Sequence, residues 1–270
     1  MPPAESVFPA WVLMWILAAA FFAAFKWLAW ANAPAASARA STGRNLGFLL
    51  AWPGTDAATF LGGAVATKPQ PAEWLAAIVK TMLGAFLFWF AARQAPLPLL
   101  QAWIGALGLI FLLHFGSFHL LSLAWRQAGV GAQPIMRSPA LASSLSDLWA
   151  RRWNLAFHQL AGAVVFKPVR KRFGTGAATF ATFFASGLIH DLVISVPAGG
   201  GYGLPTLYFM LQAAGLATER SAAGRRLGLG HAATGRIWTA AVAGVPVVIL
   251  FHPWFMLRVL VPFMHAAGGL

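Results

Sequence analysis

The chain has 270 residues, of which 59% are hydrophobic and 9% are charged. A water-soluble domain carries about 25% charged residues, so this composition excludes soluble enzymes, secreted domains and disordered scaffolds. It predicts an all-α, polytopic integral membrane protein. The 19 Lys and Arg against 6 Asp and Glu give a net charge of +13, which in a membrane protein indicates basic cytoplasmic loops rather than nucleic-acid binding. The chain has no cysteine, which excludes disulfides and thiolate metal sites.

Apolar runs of membrane-helix length follow one another along the chain. A bilayer core of about 30 Å needs about 20 apolar residues per helix. The predicted segments are 11–31, 74–92, 97–125, 176–196, 202–217, 237–251 and 254–265. Residues 45–60 are too short and too interrupted to cross, so we expect an interfacial or re-entrant piece there. The prediction is one membrane domain over residues 1–270, with roughly seven or eight apolar segments enclosing a buried reaction chamber.

The charged loops predict an orientation. Basic residues concentrate in segments 32–45, 126–172 and 219–236, and basic loops favour the cytoplasmic side. The apolar runs between these loops then make an even number of crossings. The N-terminus, the turn at Arg93 and the glycine-rich turn at 199–203 are therefore expected on the opposite side.

The pair His190-Asp191 lies well inside an apolar run, where an ionisable residue is a functional candidate by default. Ser186 and Gly187 precede His190 by four and three residues and share its helix face. A desolvated histidine suits general-base chemistry, but a histidine bonded across a helix interface for packing fits the residues equally well. A Ser186–His190 nucleophile pair is a further alternative. Asp191 points about 100° away from His190, so we expect it to bond a neighbouring helix.

A second group of functional side chains spans residues 146–154. Asp147 and Arg151 have the i,i+4 spacing of a helical ion pair. Arg151 and Arg152 begin a basic stretch that continues to residue 172 and attracts anions, either lipid phosphates or those of coenzyme A. Without further information, an interfacial amphipathic helix explains the same pattern.

Two sequence blocks carry a family resemblance. Residues 144–154 have the sequence Ser-Leu-Ser-Asp-Leu-Trp-Ala-Arg-Arg-Trp-Asn, and residues 184–191 have Phe-Ala-Ser-Gly-Leu-Ile-His-Asp. Together they resemble the membrane-bound O-acyltransferase superfamily, in its wax-synthase-like branch, over about residues 141–215. Residues 50–56 resemble a further, weaker piece of that branch. Leu148 and Ala150 replace the usual Phe and Gly, and Asp191 replaces Glu.

The resemblance implies an acyl-CoA:alcohol O-acyltransferase. It implies His190 as catalytic base and Asn154 as the second active-site residue. It also implies acyl-CoA as cosubstrate with no other cofactor and no metal, and a lipid alcohol as acceptor, in a multi-pass protein surrounded by membrane lipids. We expect the cytoplasmic membrane of a bacterium and no nucleic-acid partner. The residues expected at the substrates are Trp153, Arg152, Arg151, Ser186 and Asp191. The alternatives are a polysaccharide or peptide acceptor and a transporter with a His-Asp proton relay.

Three other histidines lie near these segments. His114 and His119 are five residues apart, which on an α-helix places them about 140° apart on different faces. We therefore predict polar interface residues there rather than a metal pair. His158 follows Asn154 by four residues, and an interfacial role is favoured over a place in the same chamber.

Overall fold

A computed structural model describes residues 8–63 and 66–270. Residues Pro139–Leu141 form a short 3-10 turn. The helices are α1 Ala10–Ala31, α2 Pro34–Arg39, α3 Thr42–Ala51, α4 Ala57–Leu61, α5 Pro71–Gln94, α6 Pro98–Gln127, α7 145–152, α8 Leu155–Ala198, α9 Leu204–Arg220, α10 Ala222–Arg226, α11 Ala232–Leu250 and α12 253–266.

Five of these helices are long and apolar enough to cross a membrane, namely α1, α5, α6, α8 and α11. The predicted segments 202–217 and 254–265 correspond to α9 and α12. The prediction of an all-α polytopic membrane protein is thereby confirmed. The interrupted segment 45–60 forms the short helices α3 and α4, neither of which is long enough to cross.

A buried lysine joins the first long helix to the loop between α3 and α4. Lys26 is 2% exposed, and its Nζ donates to the Gly54 carbonyl at 2.6 Å. The same Nζ lies 3.2 Å from the centroid of the Phe48 ring, within the range of a cation–π contact. Lys26 therefore links α1 to the loop between α3 and α4.

Helix α8 is broken in the middle. Gly174 has φ 81° and ψ 174°, a conformation that is essentially restricted to glycine. The break divides α8 into a first limb, residues 155–173, and a second limb, residues 175–198. The expectation of a polar loop over 126–172 is therefore wrong for residues 155–172, which are helical. The charged residues in that stretch made it look polar, although it contains two apolar turns around Phe157 and Phe166.

The basic loops gather at one end of the helices, as predicted. At this end Arg126 pairs with Glu73 at 2.7 Å, and the Glu219 carboxylate accepts from the Leu145 amide at 2.7 Å. At the other end, Trp89 Nε1 donates to the Ala267 carbonyl at 3.0 Å. The N-terminus of α1, the Arg93 turn and the turn at 199–203 all lie at that second end.

Several helices contain π-helical turns, in which hydrogen bonds join residues i and i+5. Examples are Ile110–Ser117 in α6, Leu148–Arg152 in α7 and Asp191–Ser195 in α8. Such a turn brings side chains five positions apart onto one face. This spacing changes which side chains meet at both cavities described below.

Candidate functional site

The two limbs of α8 enclose a cavity with α7 and α9. Its volume is about 470 Å³, within the usual range of ligand sites. We call it the His190 cavity. Its lining includes Trp153, Asn154, His158, Ser186, His190 and Phe209. The structure therefore brings the two blocks at 144–154 and 184–191 to one place.

The protonation of the His190 ring follows from its hydrogen bond. Nδ1 lies 2.7 Å from the Ser186 carbonyl oxygen. Because a carbonyl oxygen only accepts, Nδ1 carries the proton, and Nε2 of the neutral ring is left as an acceptor. No hydrogen-bond partner of Nε2 lies among the residues that the structure describes. The ring also packs on Phe209, with 4.5 Å between the ring centroids.

Helix packing brings this histidine next to α9. A Cβ on Gly187 would lie 2.6 Å from the Cα of Thr206, so only glycine permits this approach of α9. The small residue at position 187, on the helix face of His190, therefore admits the neighbouring helix. The Ser186 hydroxyl makes no hydrogen bond to His190, whose contact is with the Ser186 carbonyl.

Asn154 has an unusual backbone conformation, and only one of the two polar atoms of its side chain is hydrogen-bonded within the described structure. It has φ 42° and ψ 59°, a left-handed conformation that asparagine tolerates better than most residues. Its Oδ1 accepts from the Phe157 amide at 3.2 Å and caps the first limb of α8. Nδ2 has no partner within residues 8–63 and 66–270. Capping thus uses the acceptor of this side chain and leaves its amide group as a donor at the cavity.

Asp191 faces away from the cavity. Its carboxylate accepts from the Gly203 amide at 2.8 Å and the Thr206 amide at 3.1 Å. The hydroxyls of Ser195, at 3.0 Å, and Thr206 donate to it as well. Asp191 therefore ties the second limb of α8 to the start of α9, and the expected bond to a neighbouring helix is confirmed. The structure does not place Asp191 among the cavity residues.

Sequence reasoning did not anticipate a buried histidine beside this cluster. His252 Nδ1 accepts from the Phe255 amide at 3.2 Å, so the proton of the neutral ring lies on Nε2, 3.2 Å from the Ser195 hydroxyl. A ring that donates to the hydroxyl does not act as its base. Ser195 is therefore not a nucleophile activated by His252, and the cluster serves to hold the turn at 199–203.

The arginine pair at 151–152 is held by one carboxylate. Asp147 binds Arg151 at 2.8 Å, as predicted, and also Arg152 at 2.6 Å, because the π-helical turn brings the residue five positions on within reach. Burial raises the pKa of Asp147, but hydrogen bonds from Arg152, Ser143 and Arg151 outweigh it and hold the pKa below its usual value. The side chain of Arg151 is 73% exposed. Neither arginine lines the His190 cavity.

Other cations stand at the rim of the His190 cavity. Lys167 and Arg170, from the first limb of α8, line it together with Arg220 at the end of α9. All three are exposed, whereas Ser186 and Phe209 are buried in the interior. Arg220 was not predicted, because only the packing of α9 against α7 brings it here. Its guanidinium donates to the Ser146 hydroxyl at 3.2 Å.

His158 and the pair His114 and His119 depart from expectation. His158 lines the His190 cavity, although an interfacial role was favoured. His114 and His119 both line a second cavity, so their expected placement on different faces is wrong. The π-helical turn Ile110–Ser117 brings the two positions together. Within the described part of the chain, no three His, Cys, Asp or Glu side chains are placed to hold a metal, and the expectation of no metal stays a prediction.

Comparison with known proteins agrees with these two blocks. Residues 132–211 match the model of the Membrane bound O-acyl transferase family. The predicted resemblance to this family is confirmed. The matched range contains both His190 and Asn154. It ends inside α9, so it covers α7, α8 and the start of α9, but neither Arg220 at the cavity rim nor the earlier long helices.

Three curated plant proteins are similar over stretches of 72 to 164 residues. Probable long-chain-alcohol O-fatty-acyltransferase 1 of Arabidopsis thaliana is 28% identical over 164 residues, which is 56% of this chain and 47% of that protein. Probable long-chain-alcohol O-fatty-acyltransferase 9 of the same plant is 32% identical over 150 residues, 51% of this chain and 43% of that protein. The long-chain-alcohol O-fatty-acyltransferase of Simmondsia chinensis is 35% identical over 72 residues, 24% of this chain and 20% of that protein. The similarity to the wax-synthase-like branch is thereby confirmed. The chain spans about half the length or less of the curated relatives it matches.

Proposed function

We propose that the protein is an acyl-CoA:alcohol O-acyltransferase, which moves a long-chain acyl group to the hydroxyl of a lipid alcohol in the His190 cavity. The observation that carries the proposal is that His190 and Asn154 line one cavity, where His190 Nε2 and Asn154 Nδ2 have no partner among the described residues. The printed names of the relatives support an alcohol as acceptor.

His190 is the general base of the proposed reaction. The alcohol hydroxyl gives its proton to Nε2 while its oxygen attacks the carbonyl carbon of the thioester. The bond from Nδ1 to the Ser186 carbonyl holds the ring in the required tautomer and stabilises the imidazolium that forms. This is the role that an acidic partner has in other His-dependent enzymes.

Asn154 is the proposed donor to the developing oxyanion. As the tetrahedral intermediate forms, negative charge collects on the former carbonyl oxygen, and Nδ2 donates to it. The intermediate then collapses with cleavage of the C–S bond, and the imidazolium returns its proton to the departing thiolate. The products are an ester and free coenzyme A, and His190 is neutral again.

The two substrates divide between the rim and the interior. Lys167, Arg170 and Arg220 supply positive charge at the exposed rim, which suits the phosphates of coenzyme A. The aromatic interior around Phe183 and Phe209 suits the acyl chain and excludes water that would hydrolyse the thioester.

For the membrane that holds the protein, we propose the cytoplasmic membrane of a bacterium, which the plant relatives do not support.

Replacement of His190 by Ala tests the base. Membranes that contain the protein are incubated with labelled palmitoyl-CoA and a panel of alcohols, and ester and free coenzyme A are both measured. We expect the variant to lose at least about 10²-fold in rate, the usual contribution of a general base. Added imidazole fills the vacated space and restores part of the rate if the ring acts as a base.

His265→Ala is the matched control, since His265 is exposed and does not line the cavity. This variant is expected to keep the parental rate. Full activity of His190→Ala refutes the proposal. Ester formation without release of coenzyme A refutes acyl-CoA as donor, and proton flux without either product favours a transporter.

A further inference from the structure

A second cavity lies between α5, α6 and the segment 133–141. Its volume is about 540 Å³, and we call it the His114 cavity. It shares no lining residue with the His190 cavity. The two linings come next to each other along the chain at 152–154, where Arg152 lines the His114 cavity and Trp153 and Asn154 line the other. The proposed acyl transfer uses none of the residues of the His114 cavity.

The lining of the His114 cavity is strongly cationic. It contains Lys80, Arg126, Arg137 and Arg152, with Glu73 as the one acidic residue among the described lining residues. Arg126 is paired with Glu73 at 2.7 Å. Arg152 is paired with Asp147, which does not line the cavity. The side chains of Lys80 and Arg137 have no acidic partner within residues 8–63 and 66–270. Two positive charges are therefore left uncompensated.

Lys80 sits at a depth where an unpaired charge is costly. It is nine residues into α5, about 13 Å along the helix from Pro71, and it is only partly exposed. A bare ammonium group so far along a membrane helix is expensive unless an anion or water meets it. The neighbouring positions Leu75, Ile78, Val79 and Met82 are exposed apolar residues, so lipid surrounds this part of the helix.

Two histidines also lie at the His114 cavity, and one of their nitrogens has no hydrogen-bond partner among the described residues. His114 and His119 both line the cavity, and Nδ1 of His114 is buried with no hydrogen-bond partner in the described structure. Buried polar atoms are rarely left unsatisfied in folded proteins. A bound group with hydrogen-bonding oxygens in the cavity would accept from the unpaired Lys80 and Arg137 side chains.

We propose that the His114 cavity binds the phosphate group of an anionic ligand. A phosphate offers several acceptor oxygens and negative charge, and arginine forks and a lysine ammonium recognise both. Two sources present this chemistry at such a depth, the headgroup of an anionic phospholipid and a soluble phosphate compound. The site is separate from acyl transfer, so the proposal does not rest on the proposed function.

The first arm of the test uses inorganic phosphate. The unfolding temperature of the full chain in nonionic detergent is followed as phosphate replaces chloride at constant ionic strength. We expect a saturable rise for the parental protein. In Lys80→Gln/Arg137→Gln, the apparent affinity falls about tenfold or more, because each lost hydrogen bond involves a charged group.

The second arm uses lipid. The protein is exchanged into micelles that contain equal amounts of phosphatidylglycerol and phosphatidylcholine, and bound lipids are counted by native mass spectrometry. Retention of phosphatidylglycerol by the parental protein, lost in the double variant, supports the site and assigns it to a headgroup. A phosphate response without lipid retention supports the site and assigns it to a soluble compound.

The matched control is Arg39→Gln/Arg236→Gln, which removes the same total charge from exposed positions outside both cavities. It is expected to respond as the parental protein does. Because Arg137 is exposed, Arg137→Gln alone retains the fold and gives a second measurement if the double variant is unstable. The proposal is overturned if neither ligand binds, or if binding survives equally in the cavity and control variants.

Discussion

At the scale of single residues, the chemistry of the His190 cavity depends on how each side chain divides its hydrogen bonds. His190 uses one nitrogen to bond its own helix backbone and presents the other. Asn154 uses its oxygen to cap a helix and presents its amide. In both cases the half that holds the fold is distinct from the half proposed to act on substrate, so substitutions can separate the two roles.

Asn154→Gly separates them most directly. Glycine adopts the left-handed backbone without strain and costs only a few tenths of a kcal/mol as a helix N-cap. We expect the unfolding midpoint to stay near the parental value while ester formation falls about 10²-fold, as for loss of an oxyanion donor. The measurement pairs a thermal unfolding scan with the ester assay. Parental activity in this variant contradicts the role of Nδ2.

Asp147 predicts an acid sensitivity of the arginine block. Its pKa is below the usual value in the folded chain, so its contribution to stability is complete above the ordinary carboxylate pKa of about 4 and is lost as the pH falls below it. We expect the unfolding midpoint to fall over that acid range, and Asp147→Asn to lose part of this dependence. An unchanged pH profile in the variant contradicts the assignment.

At the scale of elements, the break at Gly174 decides the shape of the cavity. The first limb of α8 contributes Phe157, His158, Lys167 and Arg170, and the second contributes Ser186 and His190. A continuous α8 would extend about 65 Å at 1.5 Å per residue, too long to enclose anything. The glycine therefore allows two halves of one helix to face a common space.

Substitution of two nearby glycines tests this requirement. Gly174→Ala places a side chain in a glycine-only backbone region and is expected to cost about 1–3 kcal/mol of unfolding free energy. Gly176→Ala is the matched control. It lies in the helix with open space around its Cβ position and is expected to be neutral or stabilising by up to about 1 kcal/mol. Equal unfolding midpoints for the two variants contradict the assigned role of Gly174.

At the scale of the whole molecule, hydropathy and charge predicted most of the architecture, because each long apolar run must form a helix in lipid. The ends of α1, α5, α6, α9 and α12 fall within a few residues of the predicted segments. The first limb of α8 was missed because its charges at 167–172 masked its apolar turns. The shared face of His114 and His119 was missed because sequence spacing assumes 3.6 residues per turn, and only the structure shows a π-helical turn.

The sequence predicted some residues of the site but not how tertiary packing arranges them. The sequence blocks were sufficient to single out His190 and Asn154, but not to show which atoms of each remain free. Arg220 reaches the cavity only through tertiary packing of α9 against α7, which leaves no local pattern. Arg151 and Arg152 stand in the matching block, yet their contacts are with Asp147.

The absence of cysteine makes the orientation directly testable. We expect Ala140→Cys and Ala222→Cys, at exposed positions at the basic end, to react with an impermeant maleimide in inside-out vesicles only. Tyr202→Cys, at the opposite end and 65% exposed in the parental protein, is expected to react in right-side-out vesicles only. Labelling of Ala140→Cys and Tyr202→Cys from the same side contradicts the arrangement of crossings.

The change from one cavity lining to the other along residues 152–154 has a practical consequence for genetics. Neighbouring side chains there line different cavities, so a lesion that also shifts the backbone at these positions disturbs both at once. An inactive mutant from this stretch is therefore assigned to one compartment only when its unfolding midpoint stays at the parental value, as expected for Asn154→Gly. Lys80 belongs to one compartment alone, and His190 to the other, so a pair of alleles at those positions separates the two phenotypes cleanly.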